Sequence, residues 1–201
     1  FILIESSLLI AASHSNQNEL SSMLIYYKRA LNLSRKTRFP IQGIVYYNIG
    51  ASYVANRQYQ TGIPYLQRAG ETVTTPEDRL LCLHKLCIAY GETGEKQKAE
   101  KALQEAQALL REYPSPPHAR LLRLAGLRLE DGFLDHPEYA ALLQEIYSSI
   151  EKDLAYGFKQ FHAPFLIELY THQRKYKEAL AVSQELQPDF PAIDDLSLLI
   201  D

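Results

Sequence analysis

An all-α, right-handed superhelix of tandem helical hairpins is the fold this 201-residue sequence predicts, on three observations. The stretch Tyr46-Tyr47-Asn48-Ile49-Gly50-Ala51-Ser52-Tyr53, continued by Tyr59-Gln60-Thr61-Gly62 and Leu66-Gln67-Arg68-Ala69, reads as a helix, a short turn and a second antiparallel helix. Small or apolar residues aligned on Gly50 then recur as Ala11, Gly50, Cys87, Gly126 and Ile167, about 37 to 41 residues apart, the range of helical repeats. Breakers fall between these units, at Pro40, Thr74-Thr75-Pro76-Glu77, Pro114-Ser115-Pro116-Pro117, Pro188 and Pro191.

The units span approximately 1–38, 39–75, 76–113, 114–153 and 154–191, with a C-terminal cap at 192–201. The first is partial, with Ala11 before its turn and Tyr27 and Ala30 after it. In the second, Gly50 costs about 0.5–1 kcal/mol relative to Ala inside a helix, so its place implies two backbones in close approach. Ala69 marks a second close contact. The third opens on Thr75-Pro76-Glu77-Asp78, an N-cap followed by Pro and acids in a first turn. It continues through Leu83, Leu86, Cys87 and Tyr90, then Ala99, Leu103 and Ala106. The fourth has a first helix from Ala119 to Glu130, a long turn through Asp131-Gly132 to Pro137, and a second helix from Glu138 to Lys152. The fifth carries Leu166, Ile167, Tyr170, Tyr176 and Ala179, and Pro164 within the pattern from Leu154 to Thr171 predicts a kink or a restart. At 46% hydrophobic residues, with 14 Tyr and no Trp, the chain has enough apolar surface for a continuous solenoid core.

Over nearly its whole length the chain resembles the tetratricopeptide repeat (TPR) family, most strongly around Gly50 and Cys87. Its period is longer than the family's usual 34 residues. Such domains line their concave face with the first helix of each unit and hold extended peptides there. The long period and the Tyr46-x-Asn48-Ile49-Gly50 helix further resemble the peptide-pheromone receptors of Gram-positive bacteria. That resemblance implies a sensor domain at the carboxyl side of a transcriptional regulator, answering a short signalling peptide. A protein–protein assembly scaffold without small-ligand control is the alternative, and the residues that precede Phe1 discriminate the two.

The concave columns, just before the Gly50 position, nominate a peptide-binding set. Tyr47 and Asn48 come from the second unit, with Ile44 one turn earlier, and His84 and Lys85 from the third. Arg120 and Arg123 come from the fourth, and Phe165 from the fifth, with Phe161 and Glu168 beside it. An Asn amide can bridge a peptide backbone, Lys and Arg can take a carboxylate, and Tyr and Phe supply apolar walls.

Catalytic and cofactor motifs are absent. There is no Gly-x-x-x-x-Gly-Lys run, no His-Glu-x-x-His and no Gly-x-Ser-x-Gly, so a non-catalytic protein without cofactor or metal is expected. His162 and His172, ten residues apart, are not placed to share a metal, and His118 and His136 sit beside prolines. Cys82 and Cys87 lie five apart on one helix and read as buried thiols of a reducing compartment, which points to the cytoplasm. The net charge of −3 conceals a basic start, with Lys28, Arg29, Arg35, Lys36, Arg38 and Arg57 against Glu5 and Glu19 in residues 1–60. No nucleic-acid-binding module accompanies it. No apolar run reaches the roughly 18 residues needed to cross a bilayer. The apolar opening Phe1-Ile2-Leu3-Ile4, without Met, reads as the interior of a longer protein, and an exposed first helix predicts self-association, a two-fold dimer being the commonest form.

Overall fold

Helices α3 (Gln42–Ala55) and α4 (Tyr59–Thr72) form the hairpin that the Gly50 pattern predicts. They meet backbone to backbone. A Cβ at Gly50 would lie 2.7 Å from Leu66 Cγ and 3.1 Å from the Leu66 amide nitrogen, and one at Gly62 would lie 2.9 Å from the Gly50 carbonyl oxygen. Hydrogen in place of a side chain at both positions lets the two helices close.

The computed structural model of the chain describes residues 2–16, 20–37, 41–150 and 159–186. Before that hairpin come α1 (Ile2–Asn16) and α2 (Leu20–Thr37). After it come α5 (Pro76–Glu92), α6 (Lys96–Glu112), α7 (Pro116–Arg128), a 3-10 turn (Phe133–Asp135), α8 (Pro137–Ser149), α9 (Lys159–His172) and α10 (Tyr176–Leu186). Each odd-numbered helix packs on the next, and successive hairpins stack along the chain. No strand occurs among the described residues, so the architecture is the predicted all-α right-handed superhelix of tandem hairpins. The C-terminal cap and Pro191 lie outside the described residues.

Three turns repeat one geometry. The amides of Gln58, Glu95 and Lys175 each donate to the carbonyl five residues back, on Tyr53, Tyr90 and Tyr170, at 2.8 Å in every case. The residue before each donor, Arg57, Gly94 or Arg174, is left-handed, with φ of 57°, 77° and 57°, the usual way to satisfy orphan carbonyls where a helix ends. The fourth unit departs from this. Its longer connection turns at Gly132 (φ 73°) and inserts the 3-10 turn.

Local chemistry places the helix starts. The Thr75 hydroxyl accepts from the Asp78 amide at 3.1 Å and donates to the Asp78 carboxylate at 2.7 Å, with Pro76 in the first turn of α5. Pro164 falls inside α9 and leaves the Gln160 carbonyl without its usual intrahelical amide donor. The helix runs through it to His172.

One apolar core extends from Val54 on α3 through α5 to α10, and a second gathers α1, α2, the start of α3, Ala69 and Cys82. Tyr47 packs against both and bridges them. The superhelix is tightly curled. Helix α9 meets α3, three hairpins earlier in the chain, as well as α8 and α10, and the Arg57 guanidinium donates to the Pro164 carbonyl at 3.5 Å.

Candidate protein-binding face

Helix α5 is central, and every residue from Cys82 to Tyr90 is buried. A helix apolar nearly all round is covered on all sides, and this covering reaches the face where the sequence expects an open groove. His84 is 1% exposed and Lys85 6%. Their cover is α9. The Lys85 ammonium nitrogen stands 2.8 Å from the centre of the Phe161 ring, and the His84 ring meets the Phe161 ring edge-on at 5.9 Å between centroids. Phe161 also contacts His162 at 4.9 Å and Phe165 at 5.7 Å.

Burial sets the electrostatics of this layer. It pushes the Lys85 ammonium well below the ordinary lysine range. Burial, then the nearby Lys85, His162 and His118, does the same to the His84 imidazole, which favours its neutral form. Neither ring nitrogen of His84 has a hydrogen-bond partner among the described residues. His118, on the first turn of α7, is buried and shares a 2.7 Å hydrogen bond between its Nδ1 and the Ser115 hydroxyl.

One turn further along the same face lies a residue absent from the sequence-derived set. Arg128 donates from Nε to Glu92 on α5 at 2.6 Å and from Nη2 to Glu168 on α9 at 2.7 Å. Its Nη1 donates to the Tyr139 hydroxyl on α8 at 2.8 Å. Its guanidinium lies 4.7 Å from the Phe133 ring centre and 4.4 Å from that of Phe165. Burial opposes the charge, and Tyr139 with the two carboxylates outweighs it, so the guanidinium is held protonated above its usual range. A cavity of about 280 Å³ opens beside it, lined by Ile88, Gly91, Glu92, Ala125, Arg128, Leu129, Phe133 and Glu168. Glu92 and Glu168 also help burial raise the Tyr59 hydroxyl to about 12.

A sequence signal for this cluster exists. Two positions after the Gly50 column stand Ser52, Ala89, Arg128 and Leu169; one position after it stand Ala51, Ile88, Leu127 and Glu168. Each column holds a single charged residue among small or apolar ones, and the two charges have opposite sign. They pair with each other.

The predicted set therefore divides. His84 and Lys85 lie under Phe161 of α9, and Phe161 in turn touches Phe165 of the same helix. Arg120 and Arg123 turn to the second helix of their own hairpin. Arg120 pairs with Glu145 at 3.3 Å, and Arg123 grips Glu138 with two bonds at 2.7 and 2.5 Å. Tyr47 and Asn48 are half-buried on α3. Ile44, one turn earlier on α3, is 46% exposed, and Leu9, which holds the Asn48 position in the first unit, is 72% exposed.

Among the described residues no group of three His, Cys, Asp or Glu side chains is placed to hold a metal, and no helix is long and apolar enough to cross a membrane. No family model and no curated protein matches the sequence. Among solved structures the chain is similar to a repeat protein of Podosopora anserina that carries the name kinesin light chain and is built of nearly identical TPR-like repeats. The identity is 19%, the TM-score 0.51, with 92% of this chain and 93% of that one covered; the Q17M form of the same protein gives the same values. At that identity the likeness speaks for the fold, and the fold is TPR-like.

Proposed function

We propose that the chain is a protein-interaction module that receives an extended peptide segment on the inner columns of α1 and α3. The observation that carries this reading is a contrast along one face. At α5 the inner columns are covered by α9, whereas α1 and α3 carry exposed Leu9 and Ile44 along with half-buried Leu8, Tyr47 and Asn48. Apolar walls flanking a side-chain amide suit a peptide whose backbone needs a donor and an acceptor and whose side chains need burial. A carboxylate contact through Lys85 or Arg123 would require Phe161 or Glu138 to be displaced first. The TPR-like fold supports an interaction role. Sensing of a signalling peptide by a transcriptional regulator is a narrower form of this reading, supported by the Tyr46-x-Asn48-Ile49-Gly50 helix. It predicts a DNA-binding domain joined to this one.

Selection of a random twelve-residue peptide library against the chain tests the proposal. Selected peptides should lose roughly 10- to 100-fold in affinity on Ile44→Asp, the equivalent of about 1.5–3 kcal/mol of apolar burial. Loss of one neutral hydrogen bond in Asn48→Ala should weaken them by roughly 2- to 10-fold. Arg123→Ala should leave them unaffected. Peptides indifferent to both inner-column variants, or a selection that enriches none, would defeat the reading.

A further inference from the structure

The layer between α5 and α9 has a property that peptide binding does not use. His84 and Lys85 from α5 and His162 from α9 meet at Phe161, and His118 from α7 lies close enough to act on His84. The charged groups that act on His84 are Lys85, His162 and His118, all of one sign; no carboxylate acts on it from α3, α4, α6, α7 or α9 among the described residues. With 1% of its surface exposed and no hydrogen-bond partner for either ring nitrogen among the described residues, His84 has no acceptor there to receive a second ring proton. A charge formed there would be buried, unpaired and beside a lysine, the costliest arrangement for an ion in a protein.

We propose that His84, enclosed by Lys85, His118 and His162, is a proton-operated latch that keeps α9 on the inner face only while its imidazole is neutral. In the closed state the neutral ring packs against the edge of Phe161. When α9 leaves, the ring meets water and takes up a proton with the ordinary histidine pKa near 6.5. The open state thus binds the extra proton, and acid favours opening. Alkaline pH favours closure. A histidine of this kind changes the closing equilibrium by about tenfold between pH 7.5 and pH 5.5. The His172–Asp135 contact, 2.7 Å between Nε2 and Oδ1, lies at the far end of α9. The latch operates at the Phe161 end. Its release uncovers Lys85 and the inner columns of α5, which lengthens the open face begun by α1 and α3.

Hydrogen exchange on the whole chain, read as protection factors corrected for intrinsic rate, measures the latch. Between pH 7.5 and pH 5.5 the α9 amides should lose at least tenfold in protection while those of α6 hold, the His84 imidazole giving a factor of about ten and an uncovered Lys85 adding to it in the same sense. His84→Leu should make that loss about tenfold smaller, and His172→Asn should not diminish it. Equal protection of α9 at the two pH values in the natural chain overturns the proposal, as does a loss of the same size in His84→Leu. Should His84→Leu fail to fold, the imidazole NMR titration of the natural chain decides. The closed-state His84 signal must stay neutral down to pH 5.5, and a His84 that titrates near 6.5 with α9 still protected refutes the latch.

Discussion

Gly50 and Arg128 show two ways a single residue sets this structure. At Gly50 the missing side chain matters, since any Cβ would fall 2.7 Å from Leu66 Cγ. Gly50→Ala gains helix propensity yet overpacks the hairpin, and it should destabilise by about 1–3 kcal/mol, the usual cost of forced volume in a packed contact. Urea unfolding checks this, and an unchanged midpoint would mean that α3 and α4 are not in backbone contact. Arg128 acts through its charge. Its side chain is 11% exposed and joins α5, α8 and α9 to α7. Arg128→Met keeps the length but leaves the partly exposed Glu92 and Glu168 without their cation, and should cost about 1.5–3 kcal/mol in the same assay, the scale of a lost charge-assisted hydrogen bond. Cys82 and Cys87 are both buried, and burial pushes each thiol up to about 12. Unfolded thiols ionise near 8.5–9. The native state therefore binds more protons from about pH 9 upward, so the stability these thiols contribute is intact below pH 9 and falls as pH rises toward 12. Unfolding midpoints measured from pH 8 to pH 11 should decline along that course.

At the scale of elements, the helical hairpin was the most legible feature of the sequence. Its signals are local: Gly50 and Gly62 for close approach, Thr75-Pro76 for a helix start, and Tyr53, Tyr90 and Tyr170 four residues before a left-handed turn residue. The turns themselves were harder to read, because two of the three left-handed positions carry arginine, which does not announce the conformation as glycine does. Arg57 and Arg174 both sit at φ 57° where Gly94 sits at 77°. A non-glycine residue in that region is strained by roughly 1–2 kcal/mol, partly offset by the greater backbone entropy glycine loses on folding. Arg174→Gly should accordingly raise stability by up to about 1 kcal/mol, and Gly94→Arg should lower it by a similar amount. Thermal melts of the pair give the signs. A loss of stability in Arg174→Gly would mean that the left-handed turn is not present there. The fourth unit resisted a local reading because its long connection, from Glu130 to Pro137, replaces the short turn with Gly132 and a 3-10 segment.

At the scale of the whole molecule, the curl of the superhelix decides what the inner face can bind. Small rotations between successive hairpins add up until α9 faces α3 and α5, and no local pattern in the sequence encodes that sum. Tyr47 and Asn48 are half-buried on α3, the helix that also carries exposed Ile44. His84 and Lys85 occupy equivalent columns and are covered, because the chain supplies its own helix there. Arg120 and Arg123 sit on the same helix as Arg128, but the acids of α8 draw them toward their own hairpin. The central claim is this closure of α9 over α5, and proton NMR of Lys85 tests it most directly. With its ammonium nitrogen 2.8 Å from the Phe161 ring centre, the Lys85 side-chain protons should be shifted strongly upfield by the ring current and should show cross-relaxation to the Phe161 ring, and Phe161→Leu should abolish both. Lys85 protons at the position of a solvated lysine, without contact to Phe161, would contradict the closed superhelix.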